Sequence, residues 1–175
     1  MSSRITGVYD TGAKYGQLEE ADLVLAWANE LRKACVRVGI TVFMTRVSVN
    51  DPALLRLRVA AAKREGCTHL ISLHINDDDS AKANGYETLY RMSGSEAFAV
   101  HLHAQMIKSL GLRNRLVKRR PDLAILATGG MPSALLEMGF IRNRGDMAIV
   151  TDATIMQKTC AALAAALIDW EQAHQ

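Results

Sequence analysis

Two residues in this chain sit where packing alone does not account for them. His74 lies near the end of the apolar run Leu70-Ile71-Ser72-Leu73-His74-Ile75-Asn76, which is followed by Asp77, Asp78 and Asp79. An imidazole at the carboxyl end of a strand, beside an acidic loop, suits a metal ligand or a proton carrier; the alternative is a hydrogen-bonded structural histidine. Glu137 lies in Ala134-Leu135-Leu136-Glu137-Met138-Gly139-Phe140, with apolar neighbours on both sides. A lone carboxylate in a buried strand costs on the order of several kcal/mol unless it is paired, hydrogen-bonded or on a metal. Alternation turns Leu136 and Met138 to the opposite face. That isolation raises a carboxyl pKa toward the range of a general base or acid. A buried ion pair with one of the arginines is the competing reading. Glu20, in the first turn of a predicted helix, reads by position alone as a surface acid that stabilises the helix dipole.

The other titratable groups read as structural. His69 starts the strand that His74 nearly ends, and so lies toward its far end. His101 and His103 are two apart in a predicted helix and face different ways. His174 stands at the chain's end. Cys35, Cys67 and Cys160 form no CxxC and cannot all pair with one another. In their apolar surroundings they read as reduced, buried thiols. The basic run Arg113, Arg115, Lys118, Arg119 and Arg120 reads as a solvated loop, or as a rim that attracts an anionic polymer.

These residues need elements to position them. Glu19 to Val38 predicts a helix: Leu23, Trp27, Leu31, Cys35 and Val38 form one apolar stripe, acids occupy the first turn and Gly39 stops it. Ile40–Thr45 predicts a short strand. Asp51-Pro52 predicts a helix start, and Gly66 its stop. Strands are predicted at 69–75, 85–92, 123–127 and 133–138, and helices at 96–110 and 152–173. Residues 4–18, 77–84 and 111–122 read as loops. Strands alternating with helices imply one α/β domain over residues 1–175, a twisted and mostly parallel sheet with helices on both faces. Ligands of such sheets lie at the carboxyl ends of the strands, where His74, Glu137 and the loop before Glu20 would meet.

Composition narrows the function classes. Of 175 residues, 49% are apolar and 22% charged, which suits a packed core and argues against disorder. Aromatics are 5%, too few for a platform that stacks nucleic-acid bases. No apolar run approaches the ~18 residues of a membrane span, and the first residues carry no apolar signal-peptide core.

The motifs together resemble one family, the zinc-dependent N-acetylmuramoyl-L-alanine amidases of peptidoglycan, which includes phage endolysins and bacterial autolysins. Asp10-Thr11-Gly12-Ala13 is similar to the family's D-P-G-A turn, and Glu20-Ala21-Asp22-Leu23-Val24-Leu25 to its E-x-D-L-x-L helix start. Val42-Phe43-Met44-Thr45-Arg46 resembles V-x-x-T-R, and Arg58-Val59-Ala60 the helix that follows it. Ser72-Leu73-His74-Ile75-Asn76 resembles S-[IL]-H-x-N, and Gly85-Tyr86-Glu87-Thr88 the G-x-E strand. Leu135 to Asn143 resembles L-x-E-x-G-F-[IL]-x-N. Seven motifs in order carry the resemblance; each one alone is weak.

The resemblance implies a role for each matched residue. Glu20 and His74 become ligands of a Zn2+ ion, Glu137 the catalytic carboxylate, and Asn76 and Asn143 substrate-binding residues. The expected substrate is peptidoglycan, cut between N-acetylmuramic acid and L-alanine. The expected partners include no nucleic acid and no membrane span, and the chain is expected to be a monomer. An endolysin would be made in the cytoplasm and act on the wall; a piece of an autolysin would be secreted or periplasmic. The family's first zinc histidine falls at Thr6, whose hydroxyl is a poor ligand beside imidazole. The family's apolar first strand has no counterpart in residues 1–5. The expectation is that the histidine and strand lie upstream of Ser2, with Asp10 as the candidate third ligand otherwise. The alternative is a weakened metal site on a module that binds or regulates without cutting.

Overall fold

The computed structural model describes residues 12–48, 51 and 55–174. A small hairpin, β1 (Lys14–Tyr15) and β2 (Leu18–Glu19), opens them. It replaces part of the loop expected over 4–18, because Gly16, at φ +61°, allows a tight reversal. The chain passes directly from β2 into α1 (Glu20–Arg37). Trp27 and Cys35 of the predicted stripe are buried, and the Trp27 indole donates to the Val150 carbonyl at 2.9 Å. Helix α2 (Leu55–Arg64) ends before Gly66, as expected. Asp51 Oδ2 accepts from the Val47 and Ser48 N–H groups, and the helix start expected at Pro52 lies outside the described residues.

The main sheet holds β3 (Leu70–Asn76), β4 (Tyr86–Tyr90), β5 (Asn114–Arg119) and β6 (Ser133–Phe140), in the order β3-β6-β4-β5. β3 and β6 are parallel, as are β4 and β5, while β4 and β6 run antiparallel. The sheet is therefore mixed rather than nearly all parallel, and the connections explain it. Helix α3 (Glu96–Leu110) carries the chain across from β4 to β5 and keeps the direction. Residues 77–85 and 120–132 contain no α-helix, so the chain reverses at each. Two strand assignments move. Residues 114–119, expected as loop, form edge strand β5, and Ala124–Leu126, expected as strand, is a 3-10 turn. Residues 40–45 have no ladder partner among the described residues, so the expected strand there does not form. A strand needs a neighbour to satisfy its backbone.

Two clusters cover the sheet. The larger contains Phe98, Leu102 and Met106 of α3, Leu136 and Met138 of β6, and Leu163 of α5 (Ala153–Ala173). The smaller, on the other face, joins Val59 and Ala62 of α2 to Leu70, Leu89 and Leu135. Cys35 and Cys160 are buried free thiols, as expected, while Cys67 is only partly buried.

Candidate active site

The register of the sheet sets out the site. His74 of β3 is opposite Glu137 of β6, and Glu137 is opposite Glu87 of β4. Directly opposed residues point to the same face, so three polar side chains form a row across three strands. Along β6 the row follows Leu135 on the same face, while Leu136 and Met138 pack into the larger core. The alternation read from the sequence thus puts Glu137 at the border of the small apolar cluster.

Glu20 reaches this row from the first turn of α1. Its Oε1 lies 2.9 Å from His74 Nδ1 and accepts from the Ile75 N–H at 3.2 Å, and its Oε2 accepts from the Ala13 N–H at 2.9 Å. Gly12 lies so close that a Cβ there would come within 2.4 Å of Glu20 Oε2, and its φ is +63°. Only glycine fits that approach without displacing the carboxylate. The other ring nitrogen of His74, Nε2, is 3.0 Å from Ser72 Oγ.

The electrostatics separate the three groups. Burial pushes the Glu137 carboxyl up to about 7, helped by the charges of Glu20 and Glu87 against that of His74. One of its oxygens, Oε2, is buried and has no hydrogen-bond partner among the described residues. Burial lowers the proton affinity of His74, but its bond to Glu20 and the charges of Glu137 and Glu20 outweigh this and raise its pKa. Burial raises Glu20, and the bonds from His74, Ala13 and Ile75 more than reverse it, so its pKa is lowered.

Glu20, His74 and Glu137 are thus brought together. Asn76 joins them at one remove: its Nδ2 donates to Glu87 Oε1 at 3.2 Å. Asn143 has an architectural place in the fold. Its Oδ1 accepts from Gly145 and Asp146 N–H as the N-cap of α4 (Arg144–Val150), and its Nδ2 donates to the Ala81 carbonyl. Asp10 lies outside the described residues, as does Thr6. Among the described residues no group of three His, Cys, Asp or Glu side chains is placed to hold a metal. The donors that do converge, a carboxylate oxygen and an imidazole nitrogen, are of the kinds zinc accepts. They offer two donors.

A groove of about 730 Å³ runs along the outer edge of β3, from Glu20 and His74 at one end to Cys67 and Glu171 at the other. Val24, Val42 and Ile71 are among its walls. Ser72 stood in the sequence only as part of the motif around His74, and Arg115 and Lys118 only as part of a basic run that could form a rim. Ser72 is legible as the residue two before His74 on the same face, but the cations meet Glu87 only through strand pairing.

A mixed α/β sheet with a helix-start carboxylate, a strand histidine and a buried strand carboxylate at one mouth defines a hydrolase-like fold. The chain belongs to the N-acetylmuramoyl-L-alanine amidase family, whose profile matches residues 6–169. It is 28% identical over 156 residues to the germination-specific N-acetylmuramoyl-L-alanine amidase of Bacillus subtilis (strain 168), a match covering 81% of this chain and 66% of that protein. It is 31% identical over 150 residues to the probable cell wall amidase LytH of Staphylococcus aureus, covering 83% of this chain and 49% of that protein. The chain therefore spans about half to two thirds of the length of these relatives. The catalytic domain of CwlV, an N-acetylmuramoyl-L-alanine amidase from Bacillus (Paenibacillus) polymyxa var. colistinus, superposes with a TM-score of 0.87 at 26% identity, over 95% of this chain and 93% of that one. No described helix is long and apolar enough to cross a membrane.

Proposed function

We propose that residues 1–175 form one catalytic domain that hydrolyses the amide between the lactyl group of N-acetylmuramic acid and L-alanine in peptidoglycan. The observation that carries this is Glu137: a carboxyl on a central strand, with one oxygen buried and unpartnered among the described residues, directly across from His74. A carboxyl held near neutrality can accept a proton from an attacking water and return it to a leaving amine. Glu137 performs that transfer. Glu20 and His74 would hold a zinc ion, and a third ligand would come from outside the described residues, with Asp10 as a candidate. Zinc, when bound, supplies Lewis-acid polarisation of the scissile carbonyl and makes the attacking water more acidic. Ile75 and Ala13 N–H fix Glu20, and Ser72 fixes the His74 ring; such supports hold ligands in one orientation. The products are a muramic lactyl carboxylate and a free L-alanine amine. The enzyme acts at the cell wall.

Release of new L-alanine amino termini from purified peptidoglycan, with zinc present, tests the reading. Glu137→Gln keeps shape and hydrogen bonding and loses the proton carrier, so the rate should fall by about 10²–10⁴-fold with the fold intact. Equal rates would refute the role. The two-donor metal set favours a second reading, a module that binds or regulates peptidoglycan without cutting it. Under that reading the chain binds peptidoglycan but releases no amine at any zinc concentration.

A further inference from the structure

Beside Glu137, Glu87 gathers two cations. Its Oε2 accepts from Lys118 Nζ at 2.5 Å and from Arg115 Nε at 3.1 Å, and its Oε1 from the neutral Asn76 amide. One carboxylate facing two cations leaves a net positive charge next to the row. The Glu87 side chain is 9% exposed, whereas Lys118 is 44% exposed. Lys118 has three donors and shows one bond, so it can bind further at the surface.

The backbone departs from a regular strand to make this arrangement. Arg115 and Lys118 are three apart, and in a regular strand residues an odd number apart face opposite sides. The β4–β5 register shifts: Tyr86 pairs with Asn114 but Thr88 with Val117, which inserts one extra residue in β5. Leu116, inside the insertion, has a φ of +73°. That conformation is strained for leucine. The bulge brings both cations to the face of Glu87. Bulges of this kind re-aim side chains beside active sites. Edge-strand cations that only discouraged aggregation would need no partner; these two bond the Glu87 carboxylate. Arg115 is further fixed with its guanidinium 4.8 Å above the Phe140 ring.

We propose that Lys118 and Arg115, presented by the β5 bulge and held by Glu87, form a subsite for a carboxylate of the stem peptide. The favoured substrate carries a free α-carboxylate on the second residue, D-glutamate, over the amidated form, D-isoglutamine. The span agrees. Two residues of extended chain, from the scissile nitrogen to that carboxylate, cover about 7 Å. One to two strand spacings from Glu137 to the cations cover about 5–10 Å. This inference rests on the amidase reading.

Binding tests it without requiring turnover. The intact chain is titrated with synthetic N-acetylmuramoyl-L-alanyl-D-glutamate and, separately, its D-isoglutamine counterpart, each with the γ-carboxyl capped as a methylamide so that only the α-group differs, and affinity is read by NMR chemical shifts. Wild type should bind the carboxylate form about three- to tenfold more tightly at low salt. Lys118→Met should erase most of that difference, and Lys118→Arg should keep it. Equal affinities in wild type, or a preference that survives in Lys118→Met, would overturn the subsite and leave the amidase reading standing. Saturable binding of neither ligand would overturn both.

Discussion

Glu87 shows how a single buried carboxylate can hold an ion cluster at a site. Burial pushes its carboxyl up, but hydrogen bonds and charge from Lys118 and Arg115 hold it below the ordinary value of 4.5. A carboxyl depressed in the folded state stabilises the fold above its unfolded pKa and loses that contribution as pH falls through the folded value. The stability gap between wild type and Glu87→Gln should therefore be constant at neutral pH and shrink below the ordinary carboxylate range. Urea midpoints across acidic pH read this directly. A gap that widened on acidification would mean that Glu87 is protonated in the fold. His74 supplies the second prediction at this scale. Its side chain is 32% exposed at the cleft, so truncation leaves little cavity in the core. His74→Ala should lower zinc stoichiometry far more than melting temperature. The reverse result would make His74 a structural histidine.

At the scale of elements, the short helix α4 ties the two central strands together. Asp146 Oδ2 accepts from the Gly85 N–H at 2.8 Å, just before β4, and from the Phe140 N–H at 2.9 Å, at the end of β6. Both bonds are buried. Gly139 faces this carboxylate, with room for a Cβ only at 3.1 Å from the Asp146 Cβ. Asp146→Ala would leave two buried backbone donors unpaired, at about 1–3 kcal/mol each. Its unfolding free energy should drop by about 2–5 kcal/mol, and Asp146→Asn, which keeps an acceptor oxygen, should lose less. Guanidinium or urea unfolding of both variants measures this. Loss of under about 0.5 kcal/mol in Asp146→Ala would mean that water replaces the carboxylate.

For the molecule as a whole, the test is linkage between metal and fold. A ligand that binds only the native state raises stability by about 2.7 kcal/mol at a hundredfold excess over its dissociation constant. Added zinc should raise the melting temperature of the intact chain, and Glu20→Ala with His74→Ala should abolish the rise. With two described donors, the rise should need more zinc than a three-ligand site would. Asp10→Ala should reduce it further if that residue completes the set. A melting rise that persists in the double variant would place the metal elsewhere.

The chemistry of the site was legible in the residues because burial and charge conflict locally. Glu137 between apolar neighbours, and His74 at the end of an apolar run, are each anomalous within about seven residues of chain. Helix α1 was legible for a similar reason: its apolar stripe and glycine stop are local patterns. Strand pairing is not local, and residue type alone does not reveal it. The run Asn114–Arg119 looked like a basic loop because its partner, β4, lies beyond a whole helix. Residues 40–45 look like a strand by composition, yet they find no ladder partner among the described residues. Asn143 caps α4, a place its residue type allows but which needs the helix after it to be recognised. The sequence alone determined which residues were too polar for their surroundings. The tertiary structure alone decided which of them meet: the row His74–Glu137–Glu87 exists through register between strands far apart in the chain, and the cations around Glu87 exist through a bulge.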